Sequence, residues 1–309
     1  LSFFIISFKL MNKTIIAKIS EGLGNQLFMY ANAYALSKKF NLNLCLDPYS
    51  GYKKNNIRAF MLDNFNISST IAPPEWIFSS NYRNLIKKIN VKYDFLKKKK
   101  SFFFELKDKN KLTKYNSINL DNMNDTFYID GNFESEKYFL DYRKNLLSEF
   151  SFKNDLRYNK YLDIINRNNV VSISVRQNRF SERENNKYDK YSSNKSKDFL
   201  ADTVDYINQS IKFIKTKLDN PKFLLWSNDF TDLEKYFPKN EFLYVINLEN
   251  KILNDLHLLT QCKYFIVGPS TFSWWGAWLS TKTNKLCIRP KYINPSNNIN
   301  FWPESWISI

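Results

Sequence analysis

Short apolar runs alternate with amphipathic stretches along most of the chain, a pattern that predicts alternating β-strands and α-helices. The apolar run at residues 14–19 predicts a buried strand, and the stretch that follows places Leu27, Ala31 and Tyr34 on one helical face. Further strands are predicted at 42–46, 127–130, 170–175, 223–226, 242–246 and 264–267, and further helices at 199–218, 250–261 and 271–279. Strands that alternate with helices in both halves predict an α/β protein with two parallel-sheet domains facing each other. Ligands bind such sheets at the carboxyl ends of the strands, so we expect the functional site in the cleft.

Three stretches depart from this alternation. Residues 154–169 are polar and partly helical, and they predict a boundary between an N-terminal domain at 11–165 and a C-terminal domain at 166–309. Residues 85–125 are polar and lysine-rich with an apolar island at 102–104, and we interpret them as loops and short elements. Residues 181–197 lack hydrophobic periodicity and predict an exposed, mobile loop.

The chain begins with an apolar stretch, LSFFIISF, that is well short of the ~20 residues needed to span a bilayer. It has neither a basic region before it nor a cleavage site after it, unlike a secretory signal peptide. A natural start is Met11, directly before the first strand, which makes residues 1–10 a candidate misassigned leader. We therefore expect a cytoplasmic protein.

Composition limits the kinds of partner, disulfide and metal site that we expect. The formal net charge of +16 indicates attraction to nucleic acid, to anionic lipid or to phosphorylated small molecules, although a general excess of Lys, Asn and Ile would also produce it. The three cysteines are far apart, which argues against a disulfide framework and for a reducing compartment. His257 is the single histidine, so a multi-histidine metal site is excluded, and we interpret it as a structural residue of its helix.

Three sequence features predict an anion site. The loop GLGNQ at 22–26 joins a strand to a helix, GPSTFSWWGAW at 268–278 does the same, and Arg176 follows a buried strand. Each feature also has a purely structural explanation. The glycines could serve a tight turn, Ser270 or Thr271 could cap a helix whose tryptophans lie in the core, and Arg176 could be a solvated charge at the end of its strand. Together, two helix N-termini and an arginine suit a diphosphate. No Asp-x-Asp sequence stands in a suitable strand context, so we predict that no metal ion is bound.

Several motifs occur in an order that resembles glycosyltransferase family 11, the α-1,2-fucosyltransferases. They are ISEGLGNQLFMYANAYALS, GNFESEKYF, VVSISVRQNRF, FLLWSNDF, STFSWWGAW and the closing PESWISI. The resemblance extends from Met11 to Ile309. The glycine loop is shared with protein O-fucosyltransferases, whereas STFSWWGAW and PESWI are specific to family 11.

The resemblance implies a GT-B-like fold with two Rossmann-like domains and inverting transfer of L-fucose from GDP-fucose, without a cofactor or metal. It implies a donor in the C-terminal half and an acceptor against the N-terminal half, with transfer to O2 of a galactose-like sugar in a cell-surface glycan or lipid-linked oligosaccharide. Carried over onto this sequence, the donor-binding residues are Gly22, Gly24, Asn25, Arg176, Asp255, Ser270, Thr271, Phe272 and Ser273. Arg176 and Glu21 are the catalytic candidates, and the Asp255 carboxylate would accept the two N–H groups of the guanine edge.

Two departures leave other functions open. The family commonly has His-x-Arg-Arg-x-Asp where this chain has SVRQNR at 174–179, so only Arg176 is retained and Gln177 and Arg179 inherit no role. Residue 21 is commonly glycine and is Glu21 here. The alternatives are a catalytically weak or dead sugar-nucleotide-binding relative and a basic nucleic-acid-binding protein. No nucleic-acid-binding motif is present, so we expect no nucleic-acid partner. The charge predicts peripheral contact with an anionic membrane.

Overall fold

Two parallel β-sheets dominate the protein. A computed structural model describes residues 13–52, 58–154, 160–167, 169–182, 189–247, 249 and 251–309. The strands are β1 (Thr14–Lys18), β2 (Asn43–Asp47), β3 (Thr70–Ile71), β4 (Lys100–Phe104), β5 (Met123–Asp130), β6 (Val170–Val175), β7 (Lys222–Ser227), β8 (Phe242–Tyr244), β9 (Tyr264–Ile266), β10 (Leu286–Arg289) and β11 (Ile307–Ser308). The helices are α1 (Leu23–Phe40), α2 (Asn81–Asp94), α3 (Arg143–Glu149), α4 (Lys160–Arg167), α5 (Lys190–Lys215), α6 (Lys251–Gln261) and α7 (Thr271–Leu279).

The two sheets use separate parts of the chain. The first has the order β3-β2-β1-β5-β4, and the second has the order β11-β10-β9-β6-β7-β8. Their strand pairs are parallel, with Ile16 opposite Cys45 in the first sheet and Ile173 opposite Leu225 in the second. The predicted α/β class with two parallel sheets is confirmed, and it places the loops that follow β1, β6, β7 and β9 at strand carboxyl ends.

One hydrophobic core joins the two halves. Helix α1 is buried along most of its length, and the Phe28 ring lies with its centroid 4.6 Å from that of Trp274 and 4.9 Å from that of Trp275 in α7. Trp274, Trp275 and Trp278 are buried, which confirms their predicted place in the core. Complete burial of one such side chain contributes about 2–3 kcal/mol. The predicted division at 165/166 falls between the sheets and stays a prediction, because this core is common to both.

The interpretation of 85–125 as loops and short elements is wrong for its first part, which is helical. Residues 81–94 form α2, and the island at 102–104 lies in the edge strand β4. Hydrophobic periodicity does not predict this helix, because Val91 packs on the core but most of the inward face is polar. The Lys87 ammonium donates to the Asp130 carboxylate at 3.0 Å, and Asp94 accepts the backbone N–H groups of Ser101 and Phe102. A hydrophobic pattern does not reveal a helix that is anchored by buried charges.

The mobile loop predicted at 181–197 is also wrong in its second part. Helix α5 begins at Lys190, and the Asp189 side chain caps it by accepting from the backbone N–H groups of Tyr191 and Ser192. Its first two turns are serine- and lysine-rich and therefore lack an apolar stripe. Residues 183–188 lie outside the described part of the chain, as does the candidate leader at 1–10.

Two further observations bear on the sequence predictions. The His257 ring packs edge-on against Phe152 with centroids 5.5 Å apart, in agreement with a structural role. Within the described ranges, no helix is long and apolar enough to cross a membrane.

Candidate functional site

A cavity of about 660 Å³ lies where the carboxyl ends of the two sheets meet. It brings together nine of the ten residues predicted from sequence: Glu21, Gly22, Gly24, Asn25, Arg176, Asp255, Ser270, Thr271 and Phe272. The tenth, Ser273, is buried behind the wall, where its hydroxyl donates to the Gly268 carbonyl at 2.6 Å. Ser273 therefore supports the turn and is not among the lining residues.

The glycine loop allows two helices to meet at their N-termini. A Cβ atom on Gly24 would lie 2.6 Å from both the backbone carbon and the hydroxyl oxygen of Thr271, at the first turn of α7. Such a distance is not tolerated, so glycine is needed here for contact between the helices. Residues of both N-termini line the cavity, and helix N-termini favour an anion.

Asn25 connects the two halves across the cavity. Its amide nitrogen donates to Glu134 Oε1 at 2.9 Å, and its amide oxygen accepts from the Thr271 hydroxyl at 2.8 Å. Ser296 donates to the other oxygen of Glu134. One side chain of the first helix therefore holds a carboxyl group on one wall and a hydroxyl group on the other.

Two guanidinium groups converge on one carboxylate in the cavity wall. Arg176 Nη2 donates to Glu182 Oε2, and Arg58 Nη2 donates to Glu182 Oε1 at 3.0 Å. Burial lowers the pKa of Arg176, and the neighbouring charge of Glu182 opposes that shift. A group with two negatively charged oxygens already occupies the position to which both arginines point.

The residues after Arg176 separate into two roles. Gln177 is buried, and its amide donates to the carbonyls of Asp229 and Thr231, so it holds the loop in place. Arg179, for which no role was predicted, lines the cavity, and its guanidinium lies 5.2 Å from the centre of the Phe199 ring. Burial and the charge of Arg176 lower its pKa.

Glu134 is a buried carboxyl group on the cavity wall. It is 6% exposed, and burial raises its pKa to about 7, although the hydrogen bond from Ser296 acts in the opposite direction. Such a group changes its protonation state near neutral pH, which is the property that a general base needs. Glu134 lies inside the motif GNFESEKYF, and its place after the turn that follows β5 was the only signal in the sequence.

Glu21 occupies a backbone conformation that suits glycine. Its φ is 64°, in the left-handed region, and its carbonyl accepts from the side chain of Gln26 at 2.9 Å. L-residues lose about 1–2 kcal/mol in this conformation, and strain of this kind is concentrated at functional sites. This explains why glycine is common here in the family that the sequence resembles.

Asp255 contributes a carboxyl acceptor to the cavity lining, as a site for a nucleotide base requires. Asp255 is buried in the second turn of α6, accepts from the Asn247 amide at 2.6 Å, and has its pKa raised to about 6 by burial. Trp226 Nε1 is buried and has no hydrogen-bond partner among the described residues. Trp226, Lys251 and Asp255 all line the cavity. The lining therefore includes a buried carboxyl acceptor, and Trp226 has an indole N–H that no described group accepts.

The capping interpretation of Ser270 is confirmed alongside its exposure to the cavity. Its hydroxyl accepts from the backbone N–H of Ser273 at 3.1 Å, as expected of an N-cap. Within the described ranges, no group of three His, Cys, Asp or Glu side chains is placed to hold a metal ion. Metal independence stays a prediction.

Comparison with known proteins agrees with this geometry. The family model "Glycosyl transferase family 11" matches residues 14–307. An alpha-1,2-colitosyltransferase of Escherichia coli is 29% identical over 96% of this chain and 98% of its own length. The O-antigen biosynthesis glycosyltransferase WbnK of Escherichia coli is 27% identical over 94% of this chain and 99% of its own length.

The fold agrees with a solved structure of a plant protein. An Arabidopsis thaliana FUT1 variant in complex with GDP is similar with a TM-score of 0.51 and 13% identity, over 87% of this chain and 68% of that one. The fucosyltransferase NodZ from Bradyrhizobium has a TM-score of 0.48 and 13% identity over 86% of this chain and 92% of its own. A family match over nearly the whole chain, on a GT-B-like fold with two parallel sheets around a cleft, establishes that this protein belongs to glycosyltransferase family 11 and is a glycosyltransferase.

Proposed function

We propose that the protein transfers L-fucose from GDP-fucose to O2 of a galactose-like residue in a cell-surface glycan, with inversion at the anomeric carbon. The observation that carries the proposal is the convergence of Arg58 and Arg176 on one carboxylate, Glu182, between two helix N-termini. A donor diphosphate would displace Glu182 and take its place. Arg58 would then take the place of the second arginine that the family motif has and this chain lacks.

The nucleotide fits the C-terminal wall. Asp255 would accept the N1–H and N2–H groups of guanine, and Trp226 and Lys251 would line the same nucleotide site. Ser270, Thr271 and Phe272, with Gly22, Gly24 and Asn25 opposite them, would surround the diphosphate. No cofactor is required by this chemistry, because GDP-fucose is itself the co-substrate.

In the reaction, the acceptor oxygen forms a bond to the anomeric carbon while the bond from that carbon to the diphosphate oxygen breaks. Charge then accumulates on the leaving diphosphate, where Arg176 and Arg58 stabilise it most. The acceptor hydroxyl proton must go to a base, and we assign that role to Glu134, whose pKa of about 7 suits it. Glu21, the carboxylate predicted from the sequence, is the alternative base.

The relative that transfers colitose favours a second donor. Colitose is L-fucose without its 3-hydroxyl group, and that curated relative is named an alpha-1,2-colitosyltransferase. A site that hydrogen-bonds the 3-hydroxyl would reject GDP-colitose by a factor on the order of 10⁴. Both GDP-sugars therefore belong in the same assay.

The test is donor hydrolysis and transfer with purified protein, GDP-fucose, GDP-colitose, GDP-mannose and a galactose-terminated acceptor. Arg176→Lys should lower turnover of the preferred donor by about 10²- to 10³-fold, since lysine cannot engage two oxygens at once. Arg167→Lys, at the exposed end of α4, is the matched control and should leave turnover unchanged. Turnover with none of the GDP-sugars, or full turnover of Arg176→Lys, would refute the proposal.

A further inference from the structure

Helix α2 has its apolar side turned away from the protein. Tyr82, Leu85, Ile89 and Tyr93 are between 46% and 73% exposed, and Leu96 beyond the helix is 76% exposed. At 100° per residue the four helical positions lie within about 80° of arc, so they form one continuous stripe. Monomeric soluble proteins rarely leave such a contiguous apolar surface in water.

The helix is held in this orientation by its polar side. Lys87 is largely buried, its ammonium lies 4.4 Å from the centre of the Tyr128 ring, and it forms an ion pair with Asp130 at 3.0 Å. Asp94, two turns later, accepts from the backbone N–H groups of Ser101 and Phe102. Rotating the stripe inward would leave these buried charges without partners, which costs several kcal/mol. The outward apolar face is therefore a stable feature of the fold.

Exposed cations border the stripe. Lys88 and Lys92 lie along one edge of it, and Lys97, Lys98 and Lys99 follow at its carboxyl end, all exposed. An apolar stripe beside a row of lysines is the pattern of a helix that lies in the interface of an anionic bilayer. The two tyrosines suit the headgroup level.

We propose that α2 and the lysines after it form a docking surface for an anionic lipid bilayer. A second copy of the chain fits less well, because two such surfaces in contact would bring their lysines together. The protein also carries a formal net charge of +16, which adds long-range attraction to anionic lipid. The proposal concerns a surface outside the cavity and does not depend on the identity of the donor sugar.

The test is sedimentation of the full chain with phosphatidylcholine vesicles, with and without phosphatidylglycerol. Wild type should bind the anionic vesicles, and added salt should weaken the binding. The double variant Lys88→Gln/Lys92→Gln should bind about 30-fold more weakly, at about fivefold for each cation near the surface. Lys197→Gln/Lys212→Gln, on exposed positions of α5, makes the same change in net charge and should have a much smaller effect.

The apolar contribution is tested separately with Leu85→Ser/Ile89→Ser, which should also weaken binding to anionic vesicles. GDP-sugar hydrolysis in solution should be unchanged in these variants, which controls for folding. Equal effects of the two lysine pairs, no effect of the serine pair, or no binding by wild type would overturn the proposal. So would a wild-type dimer that the serine pair converts to a monomer, or binding that is lost when residues 1–10 are deleted.

Discussion

Replacement of the buried Glu134 by glutamine should make the protein more stable at alkaline pH. Burial raises the pKa of this carboxyl group from 4.5 to about 7, so the folded protein keeps its proton at a pH where the unfolded chain has lost it. Wild type therefore loses stability as the pH rises from about 4.5 through about 7, while a neutral amide does not. At about 1.4 kcal/mol per pKa unit, the shift corresponds to about 3 kcal/mol.

The assay is the free energy of unfolding in guanidinium chloride for both proteins at about pH 4 and about pH 8. The difference between variant and wild type should change by about 3 kcal/mol in favour of the variant. Other groups with a raised pKa, Asp255 included, are present in both proteins, so their contributions to the pH dependence cancel in the difference. Glutamine can still accept from Asn25 and donate to Ser296, so no hydrogen bond needs to be lost.

A control of opposite sign is Glu304→Gln, because the hydrogen bond and charge of Lys137 lower the pKa of that carboxyl group. Wild type should then gain stability relative to that variant as the pH rises. If the difference in unfolding free energy between Glu134→Gln and wild type is the same at the two pH values, the electrostatic reasoning is refuted. If Glu134 is the base, turnover should also rise with pH through about 7. The glutamine variant should lose this rising part of the pH profile, and its turnover should be about 10²- to 10⁴-fold lower.

Four further predictions concern the cavity. Gly24→Ala should cost about 1–3 kcal/mol in unfolding free energy, since the added methyl group would lie 2.6 Å from Thr271, whereas Gly22→Ala, with its nearest atom at 3.8 Å, should change it little. Glu21→Gly should raise the unfolding free energy by up to about 1 kcal/mol through relief of the positive φ, and an unchanged or lower melting temperature would contradict this. Asp255→Asn should weaken GDP binding by about tenfold or more in calorimetry, and equal affinity would exclude a guanine contact. Transfer in excess EDTA should match the untreated rate, and activity that only Mn²⁺ restores would show that a metal is needed.

The regular part of the fold could be predicted from the sequence because its strands are buried on both faces. The run 223–226 in β7 is apolar without interruption, and the run 170–175 in β6 is apolar except for Ser172 and Ser174. The sequence predictions fail where a helix is anchored or capped by polar groups and not by an apolar stripe. Helix α2 is anchored inward by Lys87 and Asp94, and α5 begins with capped polar turns, so neither start follows hydrophobic periodicity.

The site residues that stand in recognisable motifs could be predicted from the sequence. The site residues that only the folding of the chain brings together could not. Gly24, Asn25 and Thr271 stand in recognisable loops, and the structure brings them into contact. Arg58 and Glu182 are 124 positions apart and belong to no motif, so only the packing of the two halves reveals their ion pair. The spacing of residues along the chain cannot report such a contact.

The packing of Phe28 against Trp274 and Trp275 has a consequence for engineering. Donor exchange by splicing halves of related enzymes assumes that each half folds by itself and meets the other through a replaceable surface. Here the helix that carries the glycine loop completes the core of the opposite half, with Gly24 fitted to the backbone of Thr271. A functional hybrid must therefore inherit α1 and α7 from the same parent. A single crossover anywhere between Phe40 and Thr271 would separate the two helices, so a useful exchange needs two crossovers, the first of them after Phe40.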